Sequence, residues 1–246
     1  MKRNVWIWLC LLGCLSLNAQ TKKWQVTPEL GLSVNQENES SRGVTLNFKT
    51  GVSTLYTLKE GVGNRPDFGI RSGLFLHMQR GSYHANSWGN IPTGDGFRLE
   101  YSDLPATRFY LQLPVMAHWS FKLADEIRLN MGVGPYVALG VGGRTNGFLS
   151  SIRYVEDPEY PEYPYSYETR WDRPCFNPFK GTDVNDEFSL EAAPRFDWGG
   201  SALIGIQVKR ISFGIHYDMA WGDIRKHQND LRIRNHAVSF VTGFTF

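Results

Sequence analysis

The stretch from Arg108 to Leu123, RFYLQLPVMAHWSFKL, alternates apolar and mostly polar residues over its whole length. Successive side chains of a β-strand point to opposite faces, so this period predicts a strand with one apolar and one mostly polar face. The alternation alone does not say whether the apolar face meets a protein core or lipid. That choice decides the class of protein, and the rest of the chain bears on it.

The same alternation recurs along the chain, and together with the first stretch it predicts eight strands. No segment between them has a convincing helical period. No apolar run after the N-terminus reaches the roughly 18 residues of a membrane-spanning helix. The other predicted strands are Trp24 to Val34, Val44 to Leu58, Phe68 to Gln79, Ile127 to Gly142, Trp198 to Val208, Ile211 to Trp221 and Ala237 to Phe246.

The connections between the predicted strands are sorted by length. Short links follow the second, fourth and sixth strands, whereas the other links are mostly longer, and the longest runs from Thr145 to Asp197. Short turns on one rim and long loops on the other are typical of outer-membrane barrels, whose long loops lie outside the cell. We therefore predict an all-β fold, an eight-stranded antiparallel up-and-down transmembrane β-barrel in the outer membrane.

Charged and polar residues concentrate on the face opposite the apolar one. The interior of an eight-stranded barrel is just wide enough to be filled by side chains, and in the membrane version this filling is polar. We expect the apolar face to meet lipid and the polar residues to pair inside a barrel that leaves no aqueous channel. The predicted polar network of the lumen consists of Glu29, Lys49, Arg71, His77, His118, Arg128, His216 and Asp218.

A soluble lipocalin-like ligand-binding barrel is the alternative architecture. It also closes eight antiparallel strands, but it turns the apolar face inward around a ligand. The sorted loops, the long strands and aromatic residues near strand ends, such as Trp119, Trp198 and Phe246, favour the membrane barrel. Pro114 removes a hydrogen-bond donor from its strand, and we expect it to mark a bulge.

The N-terminus has the order of a secretory signal peptide: Lys2 and Arg3, then an apolar run, then the small residue Ala19. We predict a signal peptide over residues 1–19 and a barrel domain over residues 20–246. Cleavage at a lipoprotein-like box, which would leave a lipidated Cys14, is the alternative. With cleavage near Ala19, Cys175 is the single cysteine of the mature chain and has no partner for an internal disulfide.

Composition and motifs argue against several function classes. The chain has 26 basic and 24 acidic residues, and this balance gives no sign of a nucleic-acid surface. His84 lies near Ser82, as an outer-membrane hydrolase would need, but no nucleophile elbow or metal-ligand spacing supports catalysis. We expect no catalytic residues, no cofactor and no metal site, and a hydrolase is the less favoured alternative.

The long extracellular loop, at about residues 145–196, is rich in tyrosine and proline. Tyrosines give a large contact area at low entropic cost, and prolines hold a segment extended, so the loop suits protein recognition. An ordinary loop folded over the barrel mouth explains it equally well. Besides outer-membrane lipid, we expect a protein partner bound through the extracellular loops of a monomeric barrel. The candidate partner-binding residues are Tyr160, Tyr163, Tyr165, Tyr167 and Trp171.

The residues from Tyr110 to Val115, YLQLPV, precede an alternating strand, a tight turn and the residues GPYV from Gly134 to Val137. This arrangement resembles the PorT-like outer-membrane β-barrel family of Bacteroidetes. Ala19-Gln20 and Phe246 are similar to the export and barrel-assembly signals of that group. The resemblance covers most of the mature chain except the long loop and implies a small outer-membrane barrel. The founding member is linked to protein secretion, and since fold does not imply function, we expect a structural, binding or assembly role in which a secretion link is one option.

Overall fold

The computed structural model describes residues 23–37, 44–63, 65–84, 96–146, 148–156, 165–172, 175–180, 182–185, 188–190, 192–222 and 235–246. Among these residues, the structure has no helix whose length and hydropathy would suit a membrane span. The described residues form these strands: β1 (Trp24–Glu37), β2 (Val44–Lys59), β3 (Asp67–His84), β4 (Gly96–Ala124), β5 (Ile127–Asn146), β6 (Phe148–Glu156), β7 (Tyr165–Asp172), β8 (Cys175–Phe176), β9 (Thr182–Asn185), β10 (Phe188–Leu190), β11 (Phe196–Val208), β12 (Ile211–Ala220) and β13 (Asn235–Phe244).

Eight of these strands close into an antiparallel barrel. Going around the wall, the order is β1, β2, β3, β4, β5, β11, β12 and β13, and β13 pairs back with β1. Each barrel strand corresponds to one of the alternating segments of the sequence. The predicted eight-stranded antiparallel barrel is therefore confirmed.

The two faces of the wall differ in the way that the alternation predicts. On β4, Leu113 is 41% exposed on the outside, whereas its neighbour Gln112 is 2% exposed on the inside. On β1, Leu30 is 61% exposed and Glu29 only 5%. A lipocalin-like barrel would have the opposite arrangement, so that alternative is wrong for this chain.

The rims of the barrel also differ from each other. The links between β2 and β3, β4 and β5, and β11 and β12 span residues 60–66, 125–126 and 209–210, and all three lie on one rim. Aromatic pairs that are exposed or half-buried lie at both ends of the wall. The ring centroids of Trp24 and Tyr56 are 4.7 Å apart at the short-turn rim, and those of Trp198 and Trp221 are 5.3 Å apart at the opposite rim, which we call the outer rim because the predicted extracellular loop extends from it. Such belts are typical of the two membrane interfaces.

Pro114 does not mark a bulge. The ladder between β3 and β4 keeps one register across it, from Ser72 opposite Val115 to Phe75 opposite Gln112. The hydroxyl of Ser72 donates to the carbonyl oxygen of Pro114 at 2.8 Å. The predicted bulge is wrong because the proline removes one donor without changing the extended path of the strand. Register shifts occur elsewhere in β4, between Phe109 and Tyr110 and between Lys122 and Ala124.

The wall continues past the barrel on one side. β4 begins at Gly96 rather than at the predicted Arg108, and its first residues pair with β6, which in turn pairs with β7. The predicted loop at about residues 145–196 thus contains the five strands β6 to β10. We call Gly96–Asp103 of β4, together with β6 and β7, the extension. Local alternation did not predict it, because β6 joins the sheet by pairing with the start of β4, which lies far away in the chain.

Candidate functional site: the barrel lumen and its outer mouth

A buried ion pair crosses the middle of the lumen. Lys49 on β2 donates to Oδ2 of Asp218 on β12, with 2.6 Å between the Lys49 Nζ atom and that oxygen. The hydroxyl of Ser201 on β11 donates to the other carboxylate oxygen, Oδ1, also at 2.6 Å. β2 and β12 are not neighbours in the wall, so the pair joins opposite parts of the barrel.

A second charged group lies beside the first. Oε1 of Glu29 on β1 accepts hydrogen bonds from Arg71 on β3 and from the hydroxyl of Ser53 on β2. His216 on β12 lies with its Nε2 atom 3.7 Å from Oε2 of Glu29. Four strands therefore contribute to this group. The two positive and two negative charges of Lys49, Arg71, Glu29 and Asp218 are paired inside the wall, as ions removed from water require.

Uncharged groups fill the space around these ions. The hydroxyl of Ser33 lies 3.1 Å from Nε2 of His77. Phe75 points into the lumen, where the Nζ atom of Lys49 lies 5.2 Å from the centre of its ring. The edge of Phe75 also contacts His216, with 6.4 Å between the ring centroids. Phe75 was not predicted, because it breaks the otherwise polar pattern of its face.

Nearer the short-turn rim, Nη1 of Arg128 donates to Oδ2 of Asp67 at 2.5 Å. The side chain of Arg128 is 41% exposed, whereas His118 is buried beside it. Of the eight predicted lumen residues, Arg128 is thus the one that reaches the rim. The other seven lie inside the barrel, with Arg71 the least buried of them.

Small cavities remain between these side chains. One of about 10 Å³ is lined by His118, Ser120 and Arg128, and another of about 10 Å³ is lined by His77, Gln112 and Asp218. Each has room for about one water molecule. Within the described residues, side chains therefore fill the lumen around both of these cavities. This filling is typical of a closed barrel rather than an aqueous channel.

Part of the long outer loop folds back into the mouth of the barrel. Phe179 is only 5% exposed, and its ring meets the edge of Tyr110 with 5.4 Å between the centroids. A side chain at Gly140 would collide with the Phe179 ring, so the glycine permits this close approach. The backbone N–H of Ala193 donates to the carbonyl oxygen of Pro178 at 2.8 Å and holds the turn in place.

The wall beside this turn is itself held by a buried contact. The hydroxyl of Tyr136 on β5 donates to Oδ2 of Asp197 on β11 at 3.1 Å, and the N–H of Trp198 donates to Oδ1 at 2.8 Å. Tyr136 belongs to the same apolar cluster as Phe179. Sequence analysis missed Phe179, although the turn-forming pair Asn177-Pro178 before it and the small residue Gly140 were available signals.

The predicted partner-binding residues lie farther out. Tyr160 and Tyr163 lie outside the described residues. The structure describes the backbone of β7, which places Tyr165, Tyr167 and Trp171 at alternate positions and hence on one face of the extension. β7 pairs with β6 on one side and ends the sheet on the other, as far as the described strands show. The lumen network and the candidate partner-binding residues are therefore separate sites.

The described residues offer no grouping of three or more His, Cys, Asp or Glu that could hold a metal ion. His77, His118 and His216 are each surrounded by other lumen groups. Of the proposed hydrolase residues, Ser82 and His84 fall on β3, where only the backbone is described.

Comparisons with known proteins identify the class of barrel. The chain matches the family described as outer membrane protein beta-barrel domain over residues 18–225. Among solved structures, it is similar to Ail, the attachment invasion locus protein of Yersinia pestis, with 9% identity, 91% of this chain and 99% of that chain covered, and a TM-score of 0.34. It is also similar to Neisserial surface protein A, with 13% identity, 91% and 97% covered, and a TM-score of 0.33.

A third similar structure is the toluene transporter TodX of P. putida, with 10% identity, 94% of this chain and 91% of that chain covered, and a TM-score of 0.25. At such identities and scores, these likenesses say nothing about what the chain binds. No curated protein matches the chain.

Proposed function

Because this chain belongs to the outer membrane protein beta-barrel family, we propose that it is a non-enzymatic binding protein whose extension contacts a protein partner outside the cell. Its location is the outer membrane, which agrees with the apolar outer wall and the aromatic belts. The barrel serves as a rigid anchor, and recognition occurs on the extension.

The observation that carries this proposal is the length of β4. It has 29 residues, whereas a tilted strand crosses a bilayer with about 9 to 11. The part from Gly96 to Asp103 pairs with β6 instead of with a barrel strand, and at about 3.3 Å per residue it adds on the order of 25 Å of strand. An ordered sheet of this length beyond the wall offers a surface for a partner that a short loop does not.

The lumen supports the non-enzymatic part of the proposal. Lys49 and Asp218 bind each other, and Arg71 and Glu29 do the same. Phe179 covers the wall near the outer mouth. Charged groups that neutralise one another in a filled interior stabilise a wall, whereas a catalytic group needs access to its substrate.

Exchange of residues 149–172 for a short Gly/Ser linker tests the proposal. The barrel strands satisfy their backbone groups through their own neighbours, so we expect the shortened chain to fold and insert. A cysteine-directed crosslinker attached at the exposed Cys175, close to the base of the extension, should capture a surface partner with the full chain and none with the shortened chain. Folding is checked by the heat-dependent shift of the barrel on gels.

The matched control is Phe179→Ala, which loosens the turn in the mouth and leaves the extension in place. This variant should keep the crosslinked partner. If the shortened chain folds and keeps every crosslink of the full chain, the extension is not the binding surface. A link to secretion, which the PorT-like resemblance implies, would require the captured partner to be a component of a secretion apparatus.

A further inference from the structure

Within the described part of the chain, the outermost strand of the extension has one edge that pairs with no other strand. β7 pairs with β6 from Leu149 opposite Asp172 to Glu156 opposite Tyr165, and no other described strand lies along its second edge. An edge strand presents a row of backbone N–H and C=O groups that can pair with another strand. A partner strand could therefore add to the sheet at β7.

The sequence of β7, YSYETRWD, is complementary to itself when two copies run antiparallel. With Thr169 opposite Thr169 of the second copy, each Glu168 lies opposite an Arg170. The same register places each Tyr167 opposite a Trp171. Opposite charges, aromatic pairs and threonine pairs are the cross-strand pairs that stabilise antiparallel sheets.

The neighbouring registers lack this complementarity. A two-fold axis perpendicular to the sheet relates the two strands and keeps each face on the same side of the sheet. In a symmetric register, one residue therefore lies opposite its own copy. In the two registers next to the one at Thr169, this central residue is Glu168 or Arg170. The first places two glutamates opposite each other, and the second places two arginines opposite each other. Like charges directly opposite destabilise a pair of strands. The charge pattern of β7 therefore favours one register over its neighbours.

We infer that the partner of the extension is a second copy of this chain, paired antiparallel through β7 about a two-fold axis at Thr169. This inference rests on the proposed function and names the partner. Each molecule keeps its own closed barrel, and only the extensions meet. The contact is isologous, because the same edge serves both copies.

The geometry of the wall also indicates where the second copy lies. β6 follows β5 along β4 without a change of register, from Ala106 opposite Thr145 to Asp103 opposite Phe148, so the extension continues the barrel wall. The two-fold axis of an antiparallel pair is perpendicular to this wall and thus lies in the plane of the membrane. Rotation about such an axis inverts the second barrel. The two barrels therefore sit in facing outer membranes, and the contact joins two cells.

Cysteine crosslinking on intact cells tests the register. All variants carry Cys175→Ser, and two cell populations express the chain with different tags. Thr169→Cys should give disulfide dimers that contain both tags after mixing, because directly opposite residues lie within disulfide range. Glu168→Cys in one population and Arg170→Cys in the other should also crosslink. Arg170→Cys in both populations should not, since those positions are offset by two residues.

Charge reversal provides a second measurement that does not depend on disulfides. Glu168→Arg places arginines opposite each other twice, and we expect about a tenfold loss of mixed cell aggregates. The swap E168R/R170E restores opposite charges and should restore aggregation. Heat-dependent gel shifts establish that every variant folds. Recovery in the swap is specific to self-pairing, because a different partner would meet a reversed charge pattern.

Two results would overturn the inference. Thr169→Cys copies that fold, reach the surface and form no dimer would exclude this register, and an unrecovered swap would exclude self-pairing. After either of these results, the crosslinks of the full chain are compared with those of the chain without residues 149–172. If the shortened chain fails to capture a partner that the full chain captures, the proposed function stands and the partner is a different protein. If removal of these residues changes no crosslink, both proposals fail.

Discussion

Lys49 and Asp218 form an ion pair across the lumen, with 2.6 Å between Nζ and Oδ2, although 169 positions separate them in the sequence. Both residues are almost completely buried, and the pair joins two strands that are not neighbours in the wall. It therefore ties the barrel together across its interior, in addition to the hydrogen bonds around its circumference.

Removal of one member of this pair should destabilise the barrel strongly. Asp218→Ala leaves the Lys49 ammonium buried without its partner, and such a change typically lowers the free energy of unfolding by about 3–5 kcal/mol. Urea unfolding in detergent, followed by tryptophan fluorescence, measures this loss. The double variant Lys49→Met/Asp218→Ala should be more stable than Asp218→Ala alone, because it removes the unpaired charge. Equal stability of the two variants would show that the unpaired Lys49 charge is not the cause of the loss.

Substitutions on the two faces of β4 should differ in their effect. Leu113→Arg places a charge on the lipid face, at a cost of about 2–4 kcal/mol near the middle of the bilayer. Gln112→Ser changes a lumen residue one position away and should have a much milder effect. The fraction of folded, heat-modifiable protein on gels compares the two. Equal losses would contradict the assignment of the faces.

Phe179 should hold its turn in the mouth of the barrel. Phe179→Ala removes a buried ring, and such substitutions cost about 3–5 kcal/mol. We expect the turn to leave the mouth more often, so that trypsin cleaves after the exposed Lys180 faster than in the original protein. The control is Phe196→Ala on the outer face, where the ring is 60% exposed. Similar cleavage rates in both variants would mean that Phe179 does not hold the turn.

Cys175 should report the orientation of the barrel. It is exposed next to the outer end of β5, where it lies opposite Asn146. A membrane-impermeant thiol reagent should therefore label it on intact cells. The Cys175→Ser variant serves as the unlabelled control. Labelling only after the outer membrane is broken would place this rim in the periplasm.

Phe179 also changes what can be removed from the outer loop. The sequence predicts one long loop, and since loop-closure entropy varies slowly with length, the exchange of such a loop for a short linker ordinarily costs little stability. The structure places Phe179 within a buried cluster with Tyr110 and Tyr136. An exchange that includes Phe179 therefore removes packing contacts of the barrel as well as the surface loop. In a test of binding, the exchanged segment has to end before Phe179.

The alternation of the sequence was sufficient to predict the eight barrel strands and the two faces of the wall, and the sorted lengths of the links between them then favoured the membrane barrel. Side-chain direction in a strand depends only on position along that strand, so Leu113 and Gln112 could be assigned to opposite faces without knowledge of their neighbours. The same period placed Glu29, Lys49, His77 and the other predicted network residues on the inner face.

Only the tertiary structure decided which of these residues meet. Lys49 lies against Asp218 and Glu29 against Arg71 because closure of the ring brings distant strands to the same height. Closure also decides that Phe179 fills the mouth, and the long-range pairing of β6 with β4 leaves one edge of β7 without a partner among the described strands. Strand register and ring closure are set by contacts between residues far apart in the chain, and a local period of two residues contains no information about them.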